Sequence, residues 1–253
     1  MADPGRYVYA VVRGLAPDAL DGATGLDGGR LELVSHRGLT AVVSSVDLEE
    51  YGEAGLRANL EDLGWLERVA RGHDAVVQAA AAGAPTAPLR LATICLDDAG
   101  VVERLDAWHD ELEEVLDRVA DRVEWSVKVY AARRPDAPPS GSAPAGSGAA
   151  YLQRKQAEAR AARAEETTSL LLADEVHQRL VGVSVASRRL AAQDPRLTGR
   201  AERMLHNGAY LVAADDSDRF AAAIDEIVAG NPDVIVEHEG PWPPYSFATL
   251  EQS

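Results

Sequence analysis

The sequence predicts an α+β protein of two domains with antiparallel sheets, in which the second domain is ferredoxin-like and contains a long helix. Short apolar segments of strand length alternate with longer segments in which apolar residues recur every three or four positions. A stretch rich in Pro, Gly and Ser interrupts this pattern near the middle of the 253 residues. Hydrophobic residues make up 46% of the chain, which is enough for folded cores.

The first predicted domain covers residues 1–132. It opens with a β-branched and aromatic strand at 7–13, and a hairpin follows whose two arms are 31–35 and 39–46. Beyond the hairpin the apolar period changes to that of an amphipathic helix. The remaining predicted elements are a helix from 59 to 83, a strand at 88–95, a second helix from 101 to 119 and an alternating strand at 124–131.

Residues 133–148 predict an exposed linker or loop, because Pro, Gly, Ser and Ala fill the segment and cannot build a core. The second predicted domain covers 149–253. Its elements are one long helix or two joined helices over 151–192, a strand at 204–213, a helix at 220–228 and a strand at 234–237. If the strand at 124–131 joins this unit, the order matches a ferredoxin-like layout.

Charge and composition exclude several classes of partner. The formal net charge is −16 and both halves of the chain are acidic, so nucleic acid and anionic membrane surfaces are not expected as partners. Cys95 is the single cysteine, which predicts a reducing compartment. The N-terminal residues show no export signal, and no apolar run is long enough to span a bilayer. We therefore expect a cytoplasmic protein.

No catalytic or metal-binding motif is evident in the sequence. The six histidines are scattered, and none forms a metal-ligand spacing with another. His73 and His177 lie near apolar helical stripes, which favours core histidines over ligands. Cys95 ends an apolar segment without a CxxC partner, so a buried structural thiol is expected. We expect no enzyme, no cofactor and no metal.

Two features are unusual. Arg90 lies among apolar residues in the predicted strand at 88–95, as either a surface residue or an ion-pair or interface anchor. The segment 240–247 holds three prolines and three aromatic residues, so it cannot form a helix or a central strand. We expect this segment to close the core of the second domain, with a recognition surface as the alternative.

The segment Gly-Pro-Trp-Pro-Pro-Tyr-Ser-Phe at 240–247 resembles the closing signature of the gas vesicle GvpF/GvpL family. Other stretches agree with that family in the same order, so the resemblance covers essentially the whole chain. These stretches are Tyr7-Val-Tyr-Ala10, His73-Asp-Ala-Val-Val77, Glu124-Trp-Ser-Val-Lys128, Tyr151-Leu152 and Asn207-Gly-Ala-Tyr-Leu-Val212. One stretch departs from the family pattern of Pro-Leu-Arg-Phe-Gly-Thr. Here Leu91 and Ala92 replace the aromatic residue and the glycine, while Arg90 is kept.

The resemblance implies a minor gas vesicle component with two α+β domains and no catalytic residues or cofactor. Such a protein is expected to bind the hydrophobic shell subunit and other accessory proteins, and to prevent aggregation of the subunit during vesicle nucleation. The motif positions carried over as partner-binding or structural candidates are Arg90, Trp125, Lys128, Trp242, Pro243, Pro244, Tyr245 and Phe247.

The hypothesis for binding places the client on an exposed sheet edge or an apolar groove of the first domain. The alternative function is a ferredoxin-like regulatory module that binds a small ligand, which an apolar pocket with convergent polar groups would favour.

Overall fold

A computed structural model of the chain describes residues 4–16, 18–132, 148–193, 199–200 and 202–248. The described residues divide into two units. The first comprises those within Met1–Glu124 and Pro241–Ser253, and the second those within Trp125–Gly240. The boundaries therefore differ from the predicted ones, because the C-terminal segment belongs to the first unit and most of the strand predicted at 124–131 to the second. Most of the predicted linker, 133–147, lies outside the described residues.

A five-stranded sheet forms the centre of the first unit. Its strands are β1 (Gly5–Val12), β2 (Leu31–His36), β3 (Leu39–Val46), β4 (Thr86–Pro88) and β5 (Ile94–Cys95). The order is β2-β3-β1-β4, with β5 also paired to β1. Strands β2 and β3 form the predicted hairpin. Its two turn residues, Arg37 and Gly38, both have positive φ, which matches the twist of the flanking strands.

Helices cover both faces of this sheet. They are α1 (Leu48–Tyr51), α2 (Glu53–Asn59), α3 (Leu63–Ala81), α4 (Asp98–Ala107) and α5 (His109–Val119). One apolar cluster joins β1 and β3 to α4 and α5, and the other joins the opposite face of those strands to α3. Strand β1 is consequently buried along nearly its whole length. This explains its continuous apolar sequence.

Two predicted elements of the first unit differ from the structure. The helix predicted over 101–119 is two helices, because the backbone of Trp108 (φ −106°, ψ 14°) leaves the helical region between α4 and α5. The strand predicted at 88–95 is interrupted between β4 and β5. The short helices α1 and α2 were not predicted, since their few turns carry no long apolar period.

The second unit is ferredoxin-like, as predicted. Its elements are β6 (Arg122–Ala131), α6 (Gly148–Val181), β7 (Ala186–Arg189), β8 (Met204–Ala213), α7 (Ser217–Gly230) and β9 (Val234–Trp242). The sheet order β7-β8-β6-β9 is that of a βαββαβ unit whose first strand is β6. Strand β7 was missed because its four residues, Ala-Ser-Arg-Arg, show no strand pattern.

Candidate functional site

The first unit contains a groove of about 520 Å³ whose walls are apolar and partly open to solvent. One wall is formed by α1 and α2, and the other by the segment that joins β4 to α4. Among the five leucine and isoleucine residues of these walls, Leu96 is 72% exposed and the other four are half-buried. These apolar wall residues are Leu48, Leu56, Leu91, Ile94 and Leu96.

A bulge in the sheet forms the second wall. The Leu89 amide donates to the Tyr9 carbonyl at 2.9 Å, and the Val8 amide donates to the Thr93 carbonyl at 2.9 Å. Between Leu89 and Thr93 the chain leaves the ladder, and the Thr93 amide and hydroxyl both donate to the Arg90 carbonyl. Arg90 is therefore on an exposed turn and not in a strand, contrary to the sequence prediction.

Buried polar groups hold this bulge in place. The Ala92 amide donates to the Tyr7 hydroxyl at 3.0 Å, and that hydroxyl lies 3.1 Å from Nδ1 of His73. The Tyr7 oxygen accepts from Ala92 and can either donate its own proton to Nδ1 or accept a second hydrogen bond from it. Burial lowers the pKa of His73 to about 4, against the opposing charge of Asp74. His73 is thus a core histidine, as the sequence analysis favoured.

The rim of the groove carries two arginines and one carboxylate, Glu53. Glu53 accepts from Arg57 at 2.7 Å, so its charge is already compensated. Arg90 is exposed and Arg104 is half-buried, with its guanidinium carbon 5.0 Å from the ring centre of Trp108. Within the part of the chain that the structure describes, neither Arg90 nor Arg104 has a carboxylate partner.

The predicted tail motif packs on the first unit. The Tyr245 hydroxyl donates to Asp74 at 2.9 Å, and the ring joins the apolar cluster against α3. The amide and hydroxyl of Ser246 donate to the buried Glu124 at 2.7 and 2.5 Å. The prediction that this segment closes the core of the second domain is therefore wrong, because it closes the first. Pro244 and Phe247 are buried and Pro243 is half-buried, whereas Trp242 is 38% exposed.

The two remaining candidates lie in β6. Trp125 is buried in the second unit beside Phe220 and His238, with ring centres 5.7 and 5.9 Å away. Lys128 is half-buried. Both belong to the second unit and neither lines the groove, so the eight candidates do not share the lining of one site. Sequence reasoning missed Leu48, Leu56, Leu96 and Arg104, because nothing local marks them as neighbours of Arg90.

A second polar cluster lies inside the second unit. The Tyr210 hydroxyl is 3.0 Å from Nδ1 of His177 and 2.8 Å from Nε2 of His206. Burial lowers the pKa of both histidines, that of His206 to about 4. Two neutral rings around one hydroxyl form a hydrogen-bonded core network, which favours a structural role.

No three His, Cys, Asp or Glu side chains of the described residues come together as metal ligands. Cys95 is buried, as expected, and burial raises the pKa of its thiol. Within the described ranges no helix combines the length and the apolarity needed to cross a membrane. The groove thus offers apolar contact and positive charge, which are features of a binding surface.

Fold and groove together define a two-unit α+β protein with a ferredoxin-like second unit and an apolar surface on the first. The family model described as "Gas vesicle synthesis protein GvpL/GvpF" matches residues 5–249. The chain therefore belongs to the GvpL/GvpF family of gas vesicle proteins, and the resemblance seen in the sequence is confirmed.

Individual relatives agree with this assignment. The chain is 39% identical to gas vesicle protein L of Streptomyces sp. (strain CB03234) over 251 residues, which is 98% of this chain and 94% of the relative. It is 27% identical to gas vesicle protein F of the same organism, over 95% and 98% of the two chains. The crystal structure of GvpF from Anabaena sp. PCC7120 superposes with a TM-score of 0.70 at 19% identity, covering 98% of each chain. This likeness confirms the α+β fold with two antiparallel sheets.

Proposed function

We propose that this protein binds the hydrophobic shell subunit during gas vesicle assembly, without catalysing a reaction, and that the groove of the first unit is the binding surface. The observation that carries the proposal is the apolar groove itself, whose walls include a leucine with 72% of its surface exposed. A wall that separates water from gas needs subunits with an apolar face, and such subunits aggregate unless that face is covered.

The charge of the protein supports a carrier role. A net charge of −16 keeps a complex with an apolar client in solution, because like-charged complexes repel each other. In the same proposal the protein acts in the cytoplasm and associates with the growing vesicle and its other accessory proteins.

The groove is a better candidate than the open edge of the first sheet. Two ion pairs border edge strand β2, since Glu32 contacts Arg6 at 2.8 Å and Arg37, next to the strand, contacts Asp106 at 3.0 Å. Charged side chains on an edge oppose the addition of another strand. A client that binds in the groove does not have to pair with this charged edge.

The test is co-expression with the shell subunit of the same host, followed by fractionation and affinity capture of the full chain. We expect Leu96→Ser to reduce the captured shell subunit about tenfold, because the substitution removes an apolar contact from the wall. The matched control is Leu63→Ser in α3, since Leu63 is 79% exposed and does not line the groove.

Equal capture by the Leu96 and Leu63 variants would show that the groove is not the binding surface. Shell subunit that stays insoluble with the wild-type chain would overturn direct binding. The alternative function, a regulatory module for a small ligand, stays a prediction that thermal shifts with metabolites can test.

A further inference from the structure

The arginines on the rim of the groove point to a more specific client. Arginines of the first unit that contact carboxylates do so within the unit, which leaves their charge compensated. These arginines are Arg6, Arg13, Arg37, Arg57, Arg68 and Arg71. Arg90 and Arg104 differ, because among the described residues neither contacts a carboxylate and both line the groove.

Among the described residues of the first unit, Arg30, Arg118 and Arg122 also contact no carboxylate, so Arg90 and Arg104 are set apart by their position at the groove. With 41 acidic and 25 basic residues, carboxylates are available to pair every arginine. The carboxylate that lines the groove, Glu53 on the rim, is held by Arg57 instead. Among the described residues, the groove therefore presents two arginines without a carboxylate contact next to apolar walls, inside a molecule whose net charge is negative.

We propose that the groove takes an apolar helical or extended segment of the shell subunit that carries a carboxylate, and that Arg90 and Arg104 bind this carboxylate. The inference rests on the proposed function and adds the chemistry of the bound segment. An arginine fork bonds a carboxylate with two parallel N–H···O contacts, and the apolar walls exclude water from them. An apolar segment with a basic residue at that point would be rejected.

The two arginines have different surroundings, which makes them separable. Arg90 stands on the exposed bulge, and among the described residues its side chain has no hydrogen bond or ion pair to lose on substitution. Arg104 stacks on Trp108, which orients its guanidinium at the rim but also ties it to the fold. Substitution of Arg90 is therefore the cleaner test. Variants of Arg104 also need a check that the protein is folded.

The experiment captures the shell subunit with full-length variants at increasing NaCl. We expect Arg90→Gln to reduce capture about three- to tenfold at low salt. Arg90→Lys should recover part of the loss, because it keeps the charge but not the fork. The matched control is Arg30→Gln, which changes the net charge equally at an exposed arginine outside the groove.

Salt gives an independent readout. Capture by the wild type should fall as NaCl rises from about 0.05 to 0.5 M, since added ions screen the charge pair. Capture by Arg90→Gln/Arg104→Gln should be low and nearly constant, because apolar contact alone does not weaken with salt. Thermal unfolding of each variant confirms that it is folded.

The outcomes separate the two proposals. If Leu96→Ser loses the client while Arg90→Gln and the double variant retain it like Arg30→Gln, the groove binds by apolar contact alone and the inference is overturned. If none of these variants loses the client, the groove is not the binding surface, and both proposals fall.

Discussion

At the scale of single residues, the backbone of Ala92 adopts a conformation that is unfavourable for alanine. Its φ is +61°, in the left-handed region that glycine adopts freely and alanine does not. The bulge keeps this conformation because the Ala92 amide donates to the buried Tyr7 hydroxyl. A glycine at this position would adopt the same backbone without strain.

We predict that Ala92→Gly stabilises the folded protein by about 0.5–1 kcal/mol, since relief of strain outweighs the added freedom of the unfolded chain. Urea unfolding of wild type and variant measures the difference. The control is Ala58→Gly on the exposed side of α2, which should destabilise by a similar amount. Loss of stability in both variants would show that Ala92 is not strained.

His73 gives the protein a pH-dependent stability. Its folded-state pKa of about 4 lies below the ordinary value near 6.5, because burial disfavours the charged ring. Between those two values the unfolded chain binds more protons than the folded one. The stability due to neutral His73 is therefore fully present above about pH 6.5 and is lost as the pH falls towards 4.

We predict that acidification from pH 7 to pH 5 removes about 2 kcal/mol of stability through His73. Urea unfolding at pH 7, 6 and 5 measures this loss in the wild type and in His73→Gln. The variant should be less stable at pH 7 but should lose less stability on acidification; parallel pH profiles would contradict the assignment.

At the scale of elements, β8 shows how one sequence motif serves a core network. Gly208, in the stretch Asn207-Gly-Ala-Tyr-Leu-Val212, lies between His206 and Tyr210. The rings of these two residues meet on one face of the strand. A Cβ on Gly208 would lie 2.6 Å from Nε2 of His206 and 3.0 Å from the Tyr210 hydroxyl. The glycine therefore leaves room for the His206–Tyr210 hydrogen bond.

We predict that Gly208→Ala destabilises the second unit by about 1–3 kcal/mol, because both rings must move and the network with His177 loosens. Thermal or urea unfolding measures the change. The matched control is Gly230→Ala at the end of α7, where a Cβ meets nothing within 4 Å and helix propensity should give a small gain. A neutral Gly208→Ala would mean that the rings are not held at these distances.

Elements with a sustained pattern could be predicted from the sequence, and short ones could not. The hairpin β2–β3 and strand β8 have the predicted positions, because alternation and turn residues mark them locally. The bulge at Arg90 was predicted as strand, since hydrogen bonds from Tyr7 and β1 determine it and lie far away in sequence. The groove was beyond prediction for the same reason, because its two walls are about 40 residues apart.

At the scale of the whole molecule, the chain builds its first unit from both of its ends. The second unit lies between them in sequence, and the tail beyond Gly240 returns to bury Phe247 and Ala248 in the first unit. The composition of the tail suggested that it closes a core. Which core it closes depends on Asp74 and Glu124, and no local pattern could reveal these partners.

This arrangement predicts that loss of the tail weakens one unit selectively. A chain that ends at Gly240 loses the Tyr245 bond to Asp74, both Ser246 bonds to Glu124 and the burial of Phe247. We expect amide hydrogen exchange to accelerate about tenfold or more in β1 and α3, while β8 and α7 keep their protection. Peptide-resolved hydrogen exchange by mass spectrometry measures both sets in one sample.

Tyr245→Phe is the milder variant if the truncated chain does not fold. It removes a single hydrogen bond to a carboxylate, so it should cost about 1–2 kcal/mol and raise exchange in the same elements to a smaller extent. Tyr151→Phe in α6 is its matched control, because Tyr151 is 56% exposed. Loss of protection in β8 as large as in β1 would mean that the tail supports both units, and the assignment of its contacts to the first unit alone would be wrong.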